Sequence, residues 1–467
     1  MTQNTPTPPH QRSLPRRLLN RMEVDRAVFF AVLTRVWQLG AGLVTLFLLS
    51  IHFNKGLLDC YGVFANLLAL QAFAELGLHI VIINLASHEW SNLALDSKGF
   101  ITGDARALSR LVSIGRFIFK WYAVACGGLV LVGGTIGALF VTFARDVDPA
   151  INWVGPWALL ISMTGLLMWT LPFNALLEGC NQVIAVNRFR VIQVAIASVV
   201  TWLCLVGGAE LWTLAIAALS RVLCDLCFLL VAYRRFFKPF FFGPDGPHMN
   251  WRTEIWPLQW RIAIQGVFGF FSFHLFTLVM FKYQTEGTAG QMYLTWTALT
   301  ALQAAALTWV QTRTPRFGML IAQQNFSEAD RVFRRVAIWS MTVLVTGGAG
   351  FCGFVTVLNV FGANVFNVEV AEKILPPLPT VLFTLGLIAF HIANCLAIYV
   401  RAHKREPFLV QSIVSSVTIG VLVWYFGREY GPVGAGGAFF GVNALITVPS
   451  ALYLTQRCRA ERARIDA

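Results

Sequence analysis

About twelve stretches of this chain each hold roughly 20 mostly apolar residues, the length at which a helix crosses a bilayer. Hydrocarbon offers no water to a peptide group, so a lone segment inside it must close its own hydrogen bonds, and the α-helix does that. The runs begin near positions 28, 61, 117, 153, 184, 211, 256, 290, 336, 376, 407 and 433. Composition agrees: 57% of 467 residues are hydrophobic, 13% are charged and the mean hydropathy is +0.64, a balance that one soluble core could not hide. The expected fold class is an all-α polytopic integral membrane protein. Residues 28–51 exceed a signal-peptide core and lack a small-residue cleavage site, so they read as the first span. Residues 1–27 are proline-rich, polar and basic, the composition of a disordered tail.

An even number of spans leaves both termini on one side, and lysine and arginine identify which side. Of the 36 basic residues, 28 fall in tails and loops that share the N-terminal side, 5 fall opposite, and Arg35, Arg221 and Arg261 fall inside spans. Both termini are therefore expected in the cytoplasm, with the chain in the bacterial inner membrane. The +13 net charge then records topology and an affinity of the basic loops for anionic membrane lipids, with no nucleic-acid partner implied.

The loops are too short to hold a soluble catalytic domain. The sequence has no G-x-x-x-x-G-K-[ST], no H-E-x-x-H and no G-x-S-x-G, so neither ATP-driven transport by this chain alone nor hydrolysis is expected, and no cofactor or metal. Cys224 and Cys227 form a C-x-x-C inside a span without a second ligand pair, which does not make a metal or redox site.

Several features recur at a separation of roughly 224 to 228 residues. "TRVWQ" from Thr34 corresponds to "WRIAIQ" from Trp260, which places Arg35 and Arg261 in the first helix of each half. "YGVFANLLALQAFAEL" from Tyr61 corresponds to "AGQMYLTWTALTALQAA" from Ala289, setting Gly62 opposite Gly290 and Glu75 opposite Gln303. "GDARALSRL" from Gly103 and "SEADRVFRR" from Ser327 each read as a short basic amphipathic stretch along the membrane surface. The resulting division is a tail 1–27, a six-helix bundle 28–233, a linker 234–255, a second six-helix bundle 256–455 and a basic tail 456–467. With six spans per half, the halves share one orientation and a substrate site is expected between them.

These layouts and stretches, with "TRTPRFGMLIAQQNFSEADRVFRR" after the eighth span, resemble the multidrug/oligosaccharidyl-lipid/polysaccharide (MOP) exporter superfamily, and within it the polysaccharide flippase-like members. The resemblance implies two bundles in a V that alternates between inward-open and outward-open states. It also implies a substrate of the polyprenyl-diphosphate-linked glycan kind.

A charged side chain within a span costs on the order of 3 kcal/mol on insertion scales, so each is a candidate for function. Arg35 with Gln38, and Arg261 with Gln265, form matched polar stripes in which two guanidinium forks would suit a diphosphate or an acidic sugar; the alternative is snorkelling to the headgroups. Gln303 adds a hydrogen-bonding group. Glu75 and His79 lie one turn apart on the second span and read as an H+ or Na+ coupling site, a structural pair, or a neutraliser of Arg35. Arg221 and Asp225 are spaced for an intrahelical ion pair, and Glu178 lies near the basic end of the fourth span. His274 and His391 read as structural residues, and Pro172, Pro257 and Pro449 as bend points.

Three functions are compatible. The first is a flippase that carries a lipid-linked oligosaccharide or polysaccharide precursor from the inner to the outer leaflet. The second is a cation-coupled multidrug or metabolite exporter on the same fold, which should present unpaired acids to its cavity. The third is a non-transporting component or enzyme of a glycan-synthesis complex, recognisable by a stable complex with a glycosyltransferase.

Overall fold

A computed structural model of the protein describes residues 26–71, 75, 78–242, 260, 264, 267–270, 272–361, 364–365, 368–402 and 407–466. Almost all of it is helix. The first half comprises α1 (Arg26–His52), α2 (Lys55–Leu67), α3 (Leu78–Trp90), α4 (Ala105–Gly128) running through a π-turn into α5 (Gly134–Ala144), α6 (Val154–Gly179), α7 (Val183–Val206), α8 (Trp212–Cys227) and the short α9 (Arg234–Phe242). The second comprises α10 (Leu275–Tyr283), α11 (Thr288–Gln311), the short α12 (Thr314–Ala322), α13 (Phe326–Phe361), α14 (Pro377–Arg401), α15 (Leu409–Val442) and α16 (Val448–Asp466). Two small antiparallel hairpins, β1 (Leu93–Leu95) with β2 (Ile101–Gly103) and β3 (Asn364–Val365) with β4 (Val368–Glu369), sit in loops.

Eight helical runs among the described residues are long and apolar enough to cross a membrane, by length and composition. The last, Leu409–Ala460, is two passes, because α15 reverses at Gly431 (φ 59°) ahead of Pro432. Only glycine enters that left-handed region without strain, and proline cannot continue the ladder behind it. The carbonyls freed at the break are satisfied by Gln284, whose Nε2 donates to those of Gly427 and Arg428, both at 2.9 Å. Counting α2–α3, α10 and α11 as further crossings, the described helices match the roughly twelve spans read from the sequence. Their ends define a basic face, which carries α9, α12 and most of the cations, and an opposite face.

The two short basic stretches do not lie separately on the surface, as their amphipathicity suggests. Each forms the first turns of a long helix: Asp104 caps α4 by accepting from the Ala107 amide at 2.9 Å, and α13 runs unbroken for 36 residues. The buried faces of Leu111, Ile114 and Ile118, and of Ala329 and Phe333, continue into the spans, so burial favours one straight helix.

In the first half α1 packs on α7, and α8 on both α6 and α7; in the second α14 packs on α13 and α15. Between the halves, α2 lies along α10 and α11. The glycines matched by the internal repeat meet in this seam. A Cβ on Gly62 would stand 2.8 Å from Tyr293 Cβ, and one on Gly290 would stand 2.6 Å from Leu58 Cγ. Small residues allow this approach, which in lipid substitutes packing for a hydrophobic drive. Gly62→Val is expected to destabilise the protein by about 1–3 kcal/mol through overpacking. Gly127→Val should be near neutral, since nothing lies within 4 Å of its added Cβ. Thermal unfolding of the two variants in one detergent checks the contrast; equal melting temperatures would contradict the close seam.

Candidate functional site

The first half encloses a cavity of about 730 Å³, walled by α1, α2, α6, α7 and α8 and closed on one side by Tyr293 and Thr297 of α11. Its walls carry Gln38, Gln71, Asn174, Arg190, Gln193, Arg221 and Asp225 among leucines, alanines and threonines. An apolar wall with few convergent polar groups is the composition of a small-molecule site.

Asp225 is 4% exposed, yet it does not pair with Arg221 one turn away. Its oxygens accept instead from Thr170 Oγ1 at 2.8 Å on α6 and from Gln193 Nε2 at 2.9 Å on α7, and Asn174 adds a side-chain hydrogen bond. Three neutral donors from neighbouring helices occupy the carboxylate, which corrects the intrahelical ion pair expected from the spacing. The consequence is at Arg221: among the described residues its guanidinium has no hydrogen-bond or ion-pair partner, and it lines the cavity. A planar cation with five donors faces open space there.

Glu178 is likewise not left to solvent, because Arg190 of α7 forms an ion pair with it. Glu75, half-buried beyond Gln71, pairs with neither Arg35 nor His79 among the described residues. His79 Nδ1 and the hydroxyl of Tyr122 are enclosed near one another's helices, also without described partners. Arg35 is exposed on α1 and does not line the cavity, whereas Gln38, one turn further along, does. Gln303 is 8% exposed on α11 and lies outside the cavity wall. Arg261, Gln265 and Pro257 lie outside the described residues. The lone histidines both have hydrogen-bonding neighbours: His391 Nε2 is 2.8 Å from Ser340 Oγ, and His274 Nδ1 is 3.0 Å from Asn66 Oδ1. The structure thus gathers Gln38, Arg221 and Asp225 with Gln71, Asn174, Arg190 and Gln193. Asn174 and Arg190 escaped the sequence reading because each sits toward a span end where solvent would explain it, and Gln193 because one uncharged amide in mid-span does not stand out.

Between the cavity and the face opposite the basic one stands a closure that sequence reasoning also missed. Asp59 is fully buried in α2, and its Oδ2 accepts from the Gly287 amide at 2.8 Å and its Oδ1 from the Gly290 amide at 2.6 Å. Those amides begin α11, whose unsatisfied donors and dipole favour a carboxylate. Arg145 Nη1 donates to Asp59 Oδ2 at 3.2 Å, with its guanidinium 5.3 Å from the centre of the Phe281 ring. One carboxylate therefore ties α2 and the end of α5 to α10 and α11. Around it Lys55 pairs with Glu372 at 2.7 Å, and Lys373 donates to the Phe53 carbonyl. Burial, then the neighbouring Lys55, hold the Lys373 ammonium below the ordinary lysine range, with Glu372 opposing. Deeper in, Asn66 Nδ2 donates to Thr277 Oγ1 at 3.2 Å across the seam.

No family model and no curated protein matches the sequence. Solved structures do match in shape. The inward-facing conformation of a multidrug resistance MATE family transporter of the MOP superfamily superposes with a TM-score of 0.67 at 11% identity, covering 93% of this chain and 95% of that one. The lipid II flippase MurJ, in an inward closed conformation, gives 0.59 at 14% identity over 92% and 87%. A MOP superfamily transporter from Pyrococcus furiosus, described as having a binding pocket of reverse polarity, gives 0.57 at 11% identity over 96% and 98%. At such identities the likeness is one of fold: the chain has the two-bundle architecture of MOP superfamily transporters.

Proposed function

We propose that this membrane protein is a flippase for an amphiphile with an anionic head, a polyprenyl-diphosphate-linked glycan, which it moves from the inner to the outer leaflet by alternating access. The observation that carries this reading is the unpartnered guanidinium of Arg221 in a polar cavity. A guanidinium held in a bilayer with none of its five donors engaged is expensive, and the oxygens of an anionic ligand supply acceptors for them. Gln38, Gln71 and Gln193 can donate to sugar hydroxyls or phosphate oxygens.

The basic face is the cytoplasmic one on the positive-inside rule, which puts both termini in the cytoplasm of the bacterial inner membrane and makes the Asp59 closure the outer gate. The greater likeness to the inward-facing MATE conformation, with a TM-score of 0.67 against 0.55 for the outward-facing one, supports an inward-facing state. In this reading Arg35 attracts the head at the inner leaflet. Arg261, Gln265 and Gln303 complete the site from the second bundle, and Glu75 with His79 couples the cycle to H+ or Na+. Asp225 and the MATE likeness speak for the rival, a cation-coupled exporter. Against it, both oxygens of Asp225 already accept from neutral donors, whereas the donors of Arg221 are open to a ligand.

The test is reconstitution in liposomes that carry a fluorescent polyprenyl-diphosphate oligosaccharide on one leaflet. Protein-dependent appearance of the label on the other leaflet is the expected result. Transfer no faster than in protein-free vesicles, with export of a cationic dye in the same preparation, would sink the flippase reading in favour of the exporter.

A further inference from the structure

A second concavity, of about 470 Å³, opens on the outside of the first bundle beside the basic face, away from the cavity. Its wall is aromatic and aliphatic, with Trp169 of α6, Leu226 of α8, Leu230 of the following π-turn and Phe241 of α9. Leu230 and Phe241 are 65% and 56% exposed, so the trough is continuous with the apolar outer surface that faces lipid chains. At its basic end stand Arg234, Arg235 and Lys238, all exposed and all on α9.

The helix that presents these cations is firmly seated. Phe236, Phe237 and Phe240 are buried beneath it, with Phe237 edge-on to Phe173 and Phe240 within 6.0 Å of Phe119. Arg116 Nε donates to the Phe240 carbonyl at 2.8 Å. Arg235 Nη1 donates to the Lys98 carbonyl at 2.9 Å, and its guanidinium lies 5.7 Å from the centre of the Phe100 ring, so this arginine is pinned to the loop between β1 and β2. Arg234 and Lys238, four residues apart and therefore on one side of the helix, have no partner among the described residues.

We infer that this trough holds an anionic phospholipid of the leaflet at the basic face. Its chain lies against Trp169, Leu226 and Leu230, and its phosphate is bound by Arg234 and Lys238. The order of the groups decides the occupant: cations at the membrane face and an apolar channel running inward from them match a lipid in its own leaflet, head at the surface and chain toward the midplane. A peptide helix would meet charge at one end only, and a soluble anion would leave the apolar wall wet. Cations on an amphipathic helix at this depth each favour anionic over zwitterionic headgroups, by about fivefold near the surface.

The experiment is native mass spectrometry of the full chain, purified in a zwitterionic detergent and offered equimolar phosphatidylglycerol and phosphatidylcholine. Wild type is expected to retain phosphatidylglycerol at least about fivefold over phosphatidylcholine. Arg234→Gln/Lys238→Gln should bring the ratio close to one, whereas Arg334→Gln/Arg335→Gln, which removes two cations from another part of the basic face, should leave it unchanged. Leu230→Trp, which fills the trough and keeps the charges, should reduce retention of both lipids. Melting temperatures in lipid-free detergent verify that every variant folds. No preference in wild type, or equal loss in the two double variants, overturns the assignment. Displacement of phosphatidylglycerol by substoichiometric undecaprenyl phosphate would overturn it too, in favour of a docking point for a polyprenyl lipid.

Discussion

Asp59→Ala is expected to open the closure between the bundles and to lower the stability of the state seen here by about 3–5 kcal/mol, the usual result of removing one partner from a buried charged contact. The substitution strands Arg145 and the amides of Gly287 and Gly290 together. The two glycines are buried and Arg145 is only partly exposed, so the protein should move toward the conformation in which these groups become hydrated. The measurement is reaction of a cysteine placed at Ala65, in the cavity wall, with a membrane-impermeant thiol reagent applied from the face opposite the basic one, in a background without native cysteines. Labelling should rise by at least about tenfold, a change worth 1.4 kcal/mol, well within the energy released. Asp59→Asn keeps an acceptor for one amide and should fall between the two. Unchanged labelling with a lowered melting temperature would mean that Asp59 only supports the fold and does not hold a gate.

Arg221→Ala should produce the largest loss of function with the smallest structural effect. A bidentate guanidinium contact to a phosphate comprises two charge-assisted hydrogen bonds, each worth about 1.5–3 kcal/mol, so translocation of the labelled glycan lipid should fall at least about 100-fold. Stability should change little, because the side chain has no described hydrogen bond or ion pair to lose and a charge within a span is unfavourable. Arg221→Lys keeps the charge without the fork and should recover part of the rate. A variant that unfolds, or one that transports normally, would remove Arg221 from the site.

The architecture was legible because hydrocarbon permits so few backbones: length and apolarity alone pointed to about twelve passes, and the repeat singled out Gly62 and Gly290, each of which lies close against the other's helix. Their meeting in one seam was not legible, since periodicity fixes a face of a helix but not its neighbour. The same limit governed the charges. Spacing made Asp225 the natural partner of Arg221, but Thr170 and Gln193 come from helices 55 and 32 residues away in sequence and took the carboxylate first. Asp59 was passed over because it lies at the start of an apolar run, where solvation is the obvious account. Its burial follows from α11 starting against it, which no local pattern encodes.

The reversal at Gly431 has a consequence for how the chain enters the membrane during synthesis. Gln284, at the end of the seventh pass, supplies the only described side-chain donor to the two carbonyls freed there. Until that residue is in place the Gly427 and Arg428 carbonyls lack their protein donor, and neither arm has a loop long enough to wait on the far side by itself. The eleventh and twelfth passes are therefore expected to be threaded together, as one folded unit, and only after the seventh has already docked.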